Sequence, residues 1–149
     1  MKSSNTVILH DAFAFKGGGE RLAYILCREL EADLAFGYIN KNSFDLNKLS
    51  GRLINLKSES NLPFWRTIKR LHAFRKKTKF ISAYKNVIYT GQNSLLAAVN
   101  HPIGKNIYYC FTPPRSIYDL KKDHLATQSP LGKLSHIFYN IAFQPLYEN

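Results

Sequence analysis

The chain has 149 residues, a length that suits one domain. It is 45% hydrophobic, which excludes a disordered chain, and no apolar run approaches the roughly 18 residues that a membrane-crossing helix needs. Its 21 Lys and Arg against 10 Asp and Glu leave a formal charge of +11, an excess that attracts polyanions: nucleic acid, anionic lipid head groups or phosphorylated substrates. The two cysteines, Cys27 and Cys110, show no CxxC spacing and have no neighbouring histidine, which argues against zinc. Both fall among apolar residues and read as small buried hydrophobes of a reducing compartment. One lysine followed by polar residues at the N-terminus gives no signal-peptide pattern, so the chain reads as cytoplasmic.

Thr6–His10 is a short apolar run bounded by a turn-like Asp11 and predicts a buried strand. Beyond three glycines, Leu22, Ala23, Leu26, Cys27 and Leu30 recur at helical spacing, as in an amphipathic helix packed on a sheet. Ala32–Ile39 and Arg52–Leu56 predict two further strands, separated by a polar, loop-like Asn40–Gly51. Phe64–Phe80 predicts a basic helix, with Pro63 in the favoured first-turn region. Asn86–Thr90 predicts a strand ended by Gly91, and Asn93 is a candidate cap for a short helix through Val99. Ile107–Phe111 predicts the next strand, stopped by Pro113 and Pro114, and a last helical pattern carries Leu134, Ile137, Phe138 and Ile141.

Strands alternate with helices, and most strands are continuous apolar runs, as in parallel strands covered on both faces. The expected fold is an open, doubly wound parallel α/β sheet of Rossmann-like type, in a single domain. Ligands of such sheets collect beyond the carboxyl ends of the strands. Two segments fall there: the glycine loop after the first strand, and Thr112–Arg115 after a later one.

Gly17, Gly18 and Gly19 stand between the first strand and the first helix. A helix start offers unpaired N–H groups and about half a positive charge, and residues without side chains let a phosphate reach them. The P-loop spacing is absent, and Leu22 occupies the third position of a dinucleotide fingerprint. The alternative is a flexible turn that relieves backbone strain; the glycines alone do not choose. Glu20 complements the helix dipole in the first turn, and Arg21 has a plain reading as a solvated side chain.

A second segment, YYCFTPPRSIYDL from Tyr108 to Leu120, pairs a strand end with two prolines and an arginine. Together with HDAF…GGGERLA, it resembles the N-terminal half of family 4 glycosyltransferases of the GT-B type. The order and spacing of the two motifs agree with that family from His10 to about Leu120. The resemblance implies two Rossmann-like domains across a cleft, the N-terminal one holding the acceptor and the C-terminal one the nucleotide-sugar donor. The chain stops at Asn149, so residues 1–149 are expected to be the acceptor-side domain without its donor-binding partner, inactive alone.

On the same resemblance, Gly17, Gly18 and Gly19 would approach the donor diphosphate or the transferred sugar, and Glu20 and Arg21 would open the following helix, with Arg21 near phosphate. Thr112, Pro113, Pro114 and Arg115 would line the acceptor side. Where many relatives carry a histidine after Tyr-Cys, this chain has Phe111, which cannot donate a hydrogen bond or shuttle a proton. His10 is a further cleft candidate, its alternative being a histidine bonded to nearby backbone. Transfer with retention at the anomeric carbon is the implied chemistry. No metal and no cofactor are implied: there is no DxD and no His or Cys cluster.

The basic helix carries Arg66, Lys69, Arg70, Arg75, Lys76, Lys77 and Lys79 with no acid, and Trp65 and His72 stand beside a face of Phe64, Ile68 and Leu71. Such a helix can lie on an anionic membrane, each basic residue adding about 1 kcal/mol. The alternative is a core-packed helix with a solvated basic back. Expected partners are thus a nucleotide sugar, a saccharide or lipid-linked acceptor and an anionic membrane surface. The competing function is a non-catalytic module that binds an anion or a partner protein, or a decayed remnant of such an enzyme. Nucleic-acid binding is prompted by charge alone and lacks a recognisable reading motif.

Overall fold

The computed structural model describes residues 4–111, together with 129–130, 132–134, 137 and 141. Five strands form one parallel sheet: β1 (Thr6–His10), β2 (Asp33–Phe36), β3 (Leu53–Asn55), β4 (Asn86–Tyr89) and β5 (Lys105–Tyr108). Their order across the sheet is β3-β2-β1-β4-β5. The register pairs Ile8 with Leu34 on one side of β1 and with Ile88 on the other. The fold is an open Rossmann-like α/β sheet, wound in both directions from its centre.

Alternation along the strands builds two cores. Ile8, Leu34, Phe36 and Ile88 face helix α1 (Gly18–Glu29), which buries Ala23 and Cys27 against them. Val7, Leu9, Ala35, Val87 and Tyr89 face the other way. There they meet Ala73 and Phe74 of helix α2 (Pro63–Lys76) and Leu96 and Ala97 of a 3-10 helix, Asn93–Asn100. Each Val, Leu, Ile or Phe among them, fully buried, contributes roughly 1.5–3 kcal/mol.

Several boundaries differ from expectation. The second strand was expected to reach Ile39, but the ladder stops at Phe36. At Gly37 the chain passes so close to the loop after β1 that a Cβ would lie 2.3 Å from the Asp11 carbonyl oxygen. An isolated bridge, Phe13 to Ile39, resumes the pairing. The fifth strand starts two residues before Ile107 and ends at Tyr108. Its position at the sheet edge leaves Lys105, Asn106 and Ile107 exposed, so it is not covered on both faces as the apolar run suggested. Cys27 is buried as expected. Cys110 is exposed instead, because it lies past the end of this edge strand.

The basic helix also differs. Proline stands at its first turn, and it ends at Lys76; Lys79–Ala83 follows as a separate 3-10 turn. The Thr78 hydroxyl donates to the Phe74 carbonyl at 2.5 Å, satisfying one of the last-turn acceptors. Its packing face is Ala73 and Phe74, with Leu71 half-buried, whereas Ile68 of the expected face is exposed. The helix seats its C-terminal half on the sheet and leaves Leu62, Trp65 and Ile68 outward at the other end. In the final pattern, residues 130, 132–134, 137 and 141 are helical, and Leu134, Ile137 and Ile141 are exposed; Phe138 lies outside the described residues.

Candidate functional site

From β1 the chain moves outward through β2 to β3, and then returns to the other side of β1 with β4. The carboxyl ends of β1 and β4 are therefore the topological switch point, where the connecting loops part and leave a crevice. A crevice of about 480 Å³ opens there. Its walls come from every neighbouring element: His10 and Asp11 from the end of β1, Gly19 and Glu20 from α1, Gly91 from beyond β4. Tyr38 from beyond β2, Arg70 from α2 and Phe111 from beyond β5 complete it.

His10 is buried, and its Nδ1 lies 2.9 Å from the Thr90 hydroxyl oxygen. That hydroxyl donates to the Leu9 carbonyl at 3.0 Å. With its hydrogen committed, Thr90 accepts from Nδ1–H of His10, which makes Nε2 the basic nitrogen of the neutral ring. Burial lowers the His10 pKa; the charges of Asp11 and Glu20 and hydrogen bonding to the backbone of Ala12 and Thr90 oppose the shift without cancelling it. The ring packs 5.0 Å from Phe13 and 6.3 Å from Phe111, centroid to centroid. The structural alternative expects backbone partners, and hydrogen bonding to the Ala12 and Thr90 backbone is joined by the Thr90 hydroxyl just beyond β4.

Asp11 closes a helix start. Its carboxylate accepts from Asn93 N at 3.1 Å, Asn93 Nδ2 at 2.7 Å and Ser94 N at 2.9 Å. The predicted cap, Asn93, instead stands inside the 3-10 helix, and its side chain serves the true cap. Gly91 makes room for this: a Cβ there would fall 2.3 Å from Asp11 Oδ1.

The start of α1 is different. Gly17 is its N-cap, and among the described residues no side chain hydrogen-bonds its first amides. The three glycines have three reasons. A Cβ at Gly17 would lie 2.5 Å from both the Phe15 ring and Glu20 Oε2. At Gly19 it would lie 3.3 Å from the Phe111 ring. At Gly18 it would meet nothing within 4 Å. Glu20 is buried, and among the described residues its carboxylate has no hydrogen-bond partner. Gly17, Gly18 and Arg21 do not line the crevice, and Arg21 is exposed, so of the predicted glycine-loop set only Gly19 and Glu20 do so.

The two sequence motifs nevertheless meet, through Gly19 and Phe111. Thr112, Pro113, Pro114 and Arg115 lie outside the described residues. Among the described residues no group of three or more His, Cys, Asp or Glu side chains is arranged to hold a metal ion.

The basic side chains of α2 divide. Arg66 Nε donates to the Ser60 carbonyl at 3.0 Å, Lys69 to the Glu59 carbonyl at 3.2 Å and Lys77 to the Leu56 carbonyl at 2.8 Å, clasping the β3–α2 connection. Arg70 Nη2 donates to the Tyr38 hydroxyl at 3.2 Å, with the guanidinium 5.6 Å from the centre of that ring. Trp65, Arg75 and Lys76 are exposed. No helix among the described residues is long and apolar enough to cross a membrane.

Sequence reasoning missed Tyr38, Gly91 and the crevice role of Arg70. Gly91 and Tyr38 carried a usable signal, since each follows a strand at its carboxyl end. Arg70 carried none, because it is one base among seven on a helix whose orientation the sequence leaves open. No protein-family model, no curated protein and no solved structure matches the chain.

Proposed function

We propose that the protein is the acceptor-side half of a retaining glycosyltransferase. It would hold a saccharide or lipid-linked acceptor while a second α/β domain presents a nucleotide-sugar donor. The observation that carries this reading is the contact of Gly19 with Phe111 at the switch-point crevice, which joins motifs about ninety residues apart. An uncapped helix start, a buried carboxylate and a neutral histidine surround one open crevice. Hydroxyl donors of a sugar suit Glu20, and amides at the start of α1 would stabilise charge on a leaving diphosphate.

The test is a titration of the ¹⁵N-labelled chain with neutral hexoses and with nucleotide sugars. Amides of Asp11, Gly19 and Gly91 are expected to move with the saccharide, and the chain alone is expected to turn over no nucleotide sugar. Saccharides that leave those amides unmoved defeat the reading; turnover by the chain alone defeats the division between two domains.

A peripheral membrane role on the inner leaflet belongs to the same reading. Leu62, Trp65 and Ile68 are outward apolar side chains at the start of α2, and Arg75, Lys76 and Lys79 are exposed cations on the same helix and just beyond it. Co-sedimentation with anionic but not neutral vesicles is expected, and equal recovery with both removes this part.

A further inference from the structure

The crevice carries an acidic and a basic side chain on different walls. Glu20 stands on the α1 side, buried and without a hydrogen-bond partner among the described residues. Arg70 stands on the α2 side. Of the guanidinium's five N–H donors, one reaches the Tyr38 hydroxyl, and the Nε nitrogen is buried with no partner among the described residues. A buried donor left unpaired costs about 1–3 kcal/mol, so its persistence calls for a reason. Tyr38 holds the guanidinium from two directions, by its hydroxyl and by its ring, which orients the fork before anything binds.

The other ionisable groups do not neutralise this arrangement. Asp11 is committed to the start of the 3-10 helix. His10 is held neutral by burial. Beyond Tyr38 the wall continues into a groove of about 670 Å³, where Arg66 and Lys69 face Glu59, Asn61 and Leu62. The charge on the α2 wall is therefore net positive.

We propose that the crevice takes a hydroxylated molecule bearing an oxyanion, a phosphate or a carboxylate, and that Arg70 is the residue that reads the anion. Hydroxyl groups donate to Glu20 on one wall while the oxyanion receives the fork of Arg70 on the other. Tyr38 is a positioning residue that acts through Arg70. This rests on the saccharide-binding reading above and adds to it the charge of the bound sugar. A planar fork matches two oxygens of a carboxylate or phosphate, which a lysine in its place cannot do.

The experiment follows the Arg70 Nε–H resonance and the Gly19 amide of the full chain by NMR. The probes are glucose 6-phosphate, glucuronate, glucose and inorganic phosphate. The two anionic sugars are expected to shift both signals and to bind about tenfold or more tightly than glucose, in line with the strength of charge-assisted hydrogen bonds. Inorganic phosphate, lacking the sugar hydroxyls that would span the crevice to Glu20, is expected to bind more weakly than glucose 6-phosphate. Arg70→Gln should bring the anionic sugars down to the level of glucose, and Arg70→Lys should retain only part of the preference. Tyr38→Phe should weaken the anions by a larger factor than it weakens glucose, because its hydroxyl holds the Arg70 guanidinium. Should Arg70→Gln fail to fold, the native preference and the Arg70→Lys variant still decide. Anionic sugars that bind no better than glucose overturn the proposal while leaving the saccharide site standing. So does a preference that survives Arg70→Gln. If no sugar moves either signal, the saccharide reading falls with it.

Discussion

Two helix starts face the same end of the sheet, and they are finished in opposite ways. The 3-10 helix at Asn93 receives the Asp11 carboxylate on two backbone amides and one side-chain amide. Among the described residues, helix α1 at Gly18 receives no side-chain hydrogen bond on its first amides. One helix end has a carboxylate bonded to its amides; the other has the Glu20 carboxylate in its first turn, with no side chain bonded to its amides among the described residues, and it stands beside a crevice. The comparison separates two uses of similar chemistry. Asp11 builds the floor of the crevice, whereas the start of α1, Glu20 and Arg70 remain available to whatever enters it.

The sharpest way to break the comparison is to empty the filled end. Asp11→Ala orphans three donors at a half-buried position and should cost about 3 kcal/mol, read from denaturant unfolding. A loss below about 1 kcal/mol would mean that water caps the helix as well as the carboxylate does. Next comes Gly91→Ala. The added methyl would fall on a carboxylate that three hydrogen bonds prevent from retreating. About 2 kcal/mol is expected, and combination with Asp11→Ala should be less than additive, since both act on one contact.

The third effect is one of pH. The native His10 resists protonation, while the unfolded chain takes up a proton near the ordinary value of 6.5. The unfolded state therefore binds more protons below that pH, and stability falls as the pH drops through it, by at most about 1.4 kcal/mol per pH unit. Above it the term is flat. His10→Gln should remove this component of the slope; an unchanged slope in the variant assigns it to other groups. The smallest effect probes the open end. Gly18→Ala meets no neighbour and should stabilise the protein by about 0.5 kcal/mol through the unfolded chain. A destabilised Gly18→Ala variant would show that this end is less open than Gly18's surroundings indicate.

The sheet was legible because apolar runs and glycines mark buried parallel strands directly. Residues 6–10 and 86–89 needed nothing beyond composition and spacing. The edge strand was misread because Ile107–Phe111 is apolar without being covered, and exposure depends on what lies beside a strand. Asn93 was the obvious local cap, yet the carboxylate that serves comes from 82 residues earlier. No window of sequence contains both partners. The sequence presents the three glycines as one unit, and packing gives them separate surroundings. Only packing shows that Gly17 yields to Phe15 and Glu20, Gly19 yields to Phe111, and Gly18 yields to nothing. Arg70 was grouped with its neighbours by charge, whereas the structure sorts those side chains by what each one touches.

The Leu9 carbonyl accepts twice from Thr90, from its amide at 2.9 Å and from its hydroxyl at 3.0 Å, and the same hydroxyl holds His10. The imidazole is thereby wired to the seam between the two central strands. A change in that ring's orientation or charge acts on a hydroxyl that shares its acceptor with the Thr90 amide, so deuterium uptake at Thr90 is expected to respond to it.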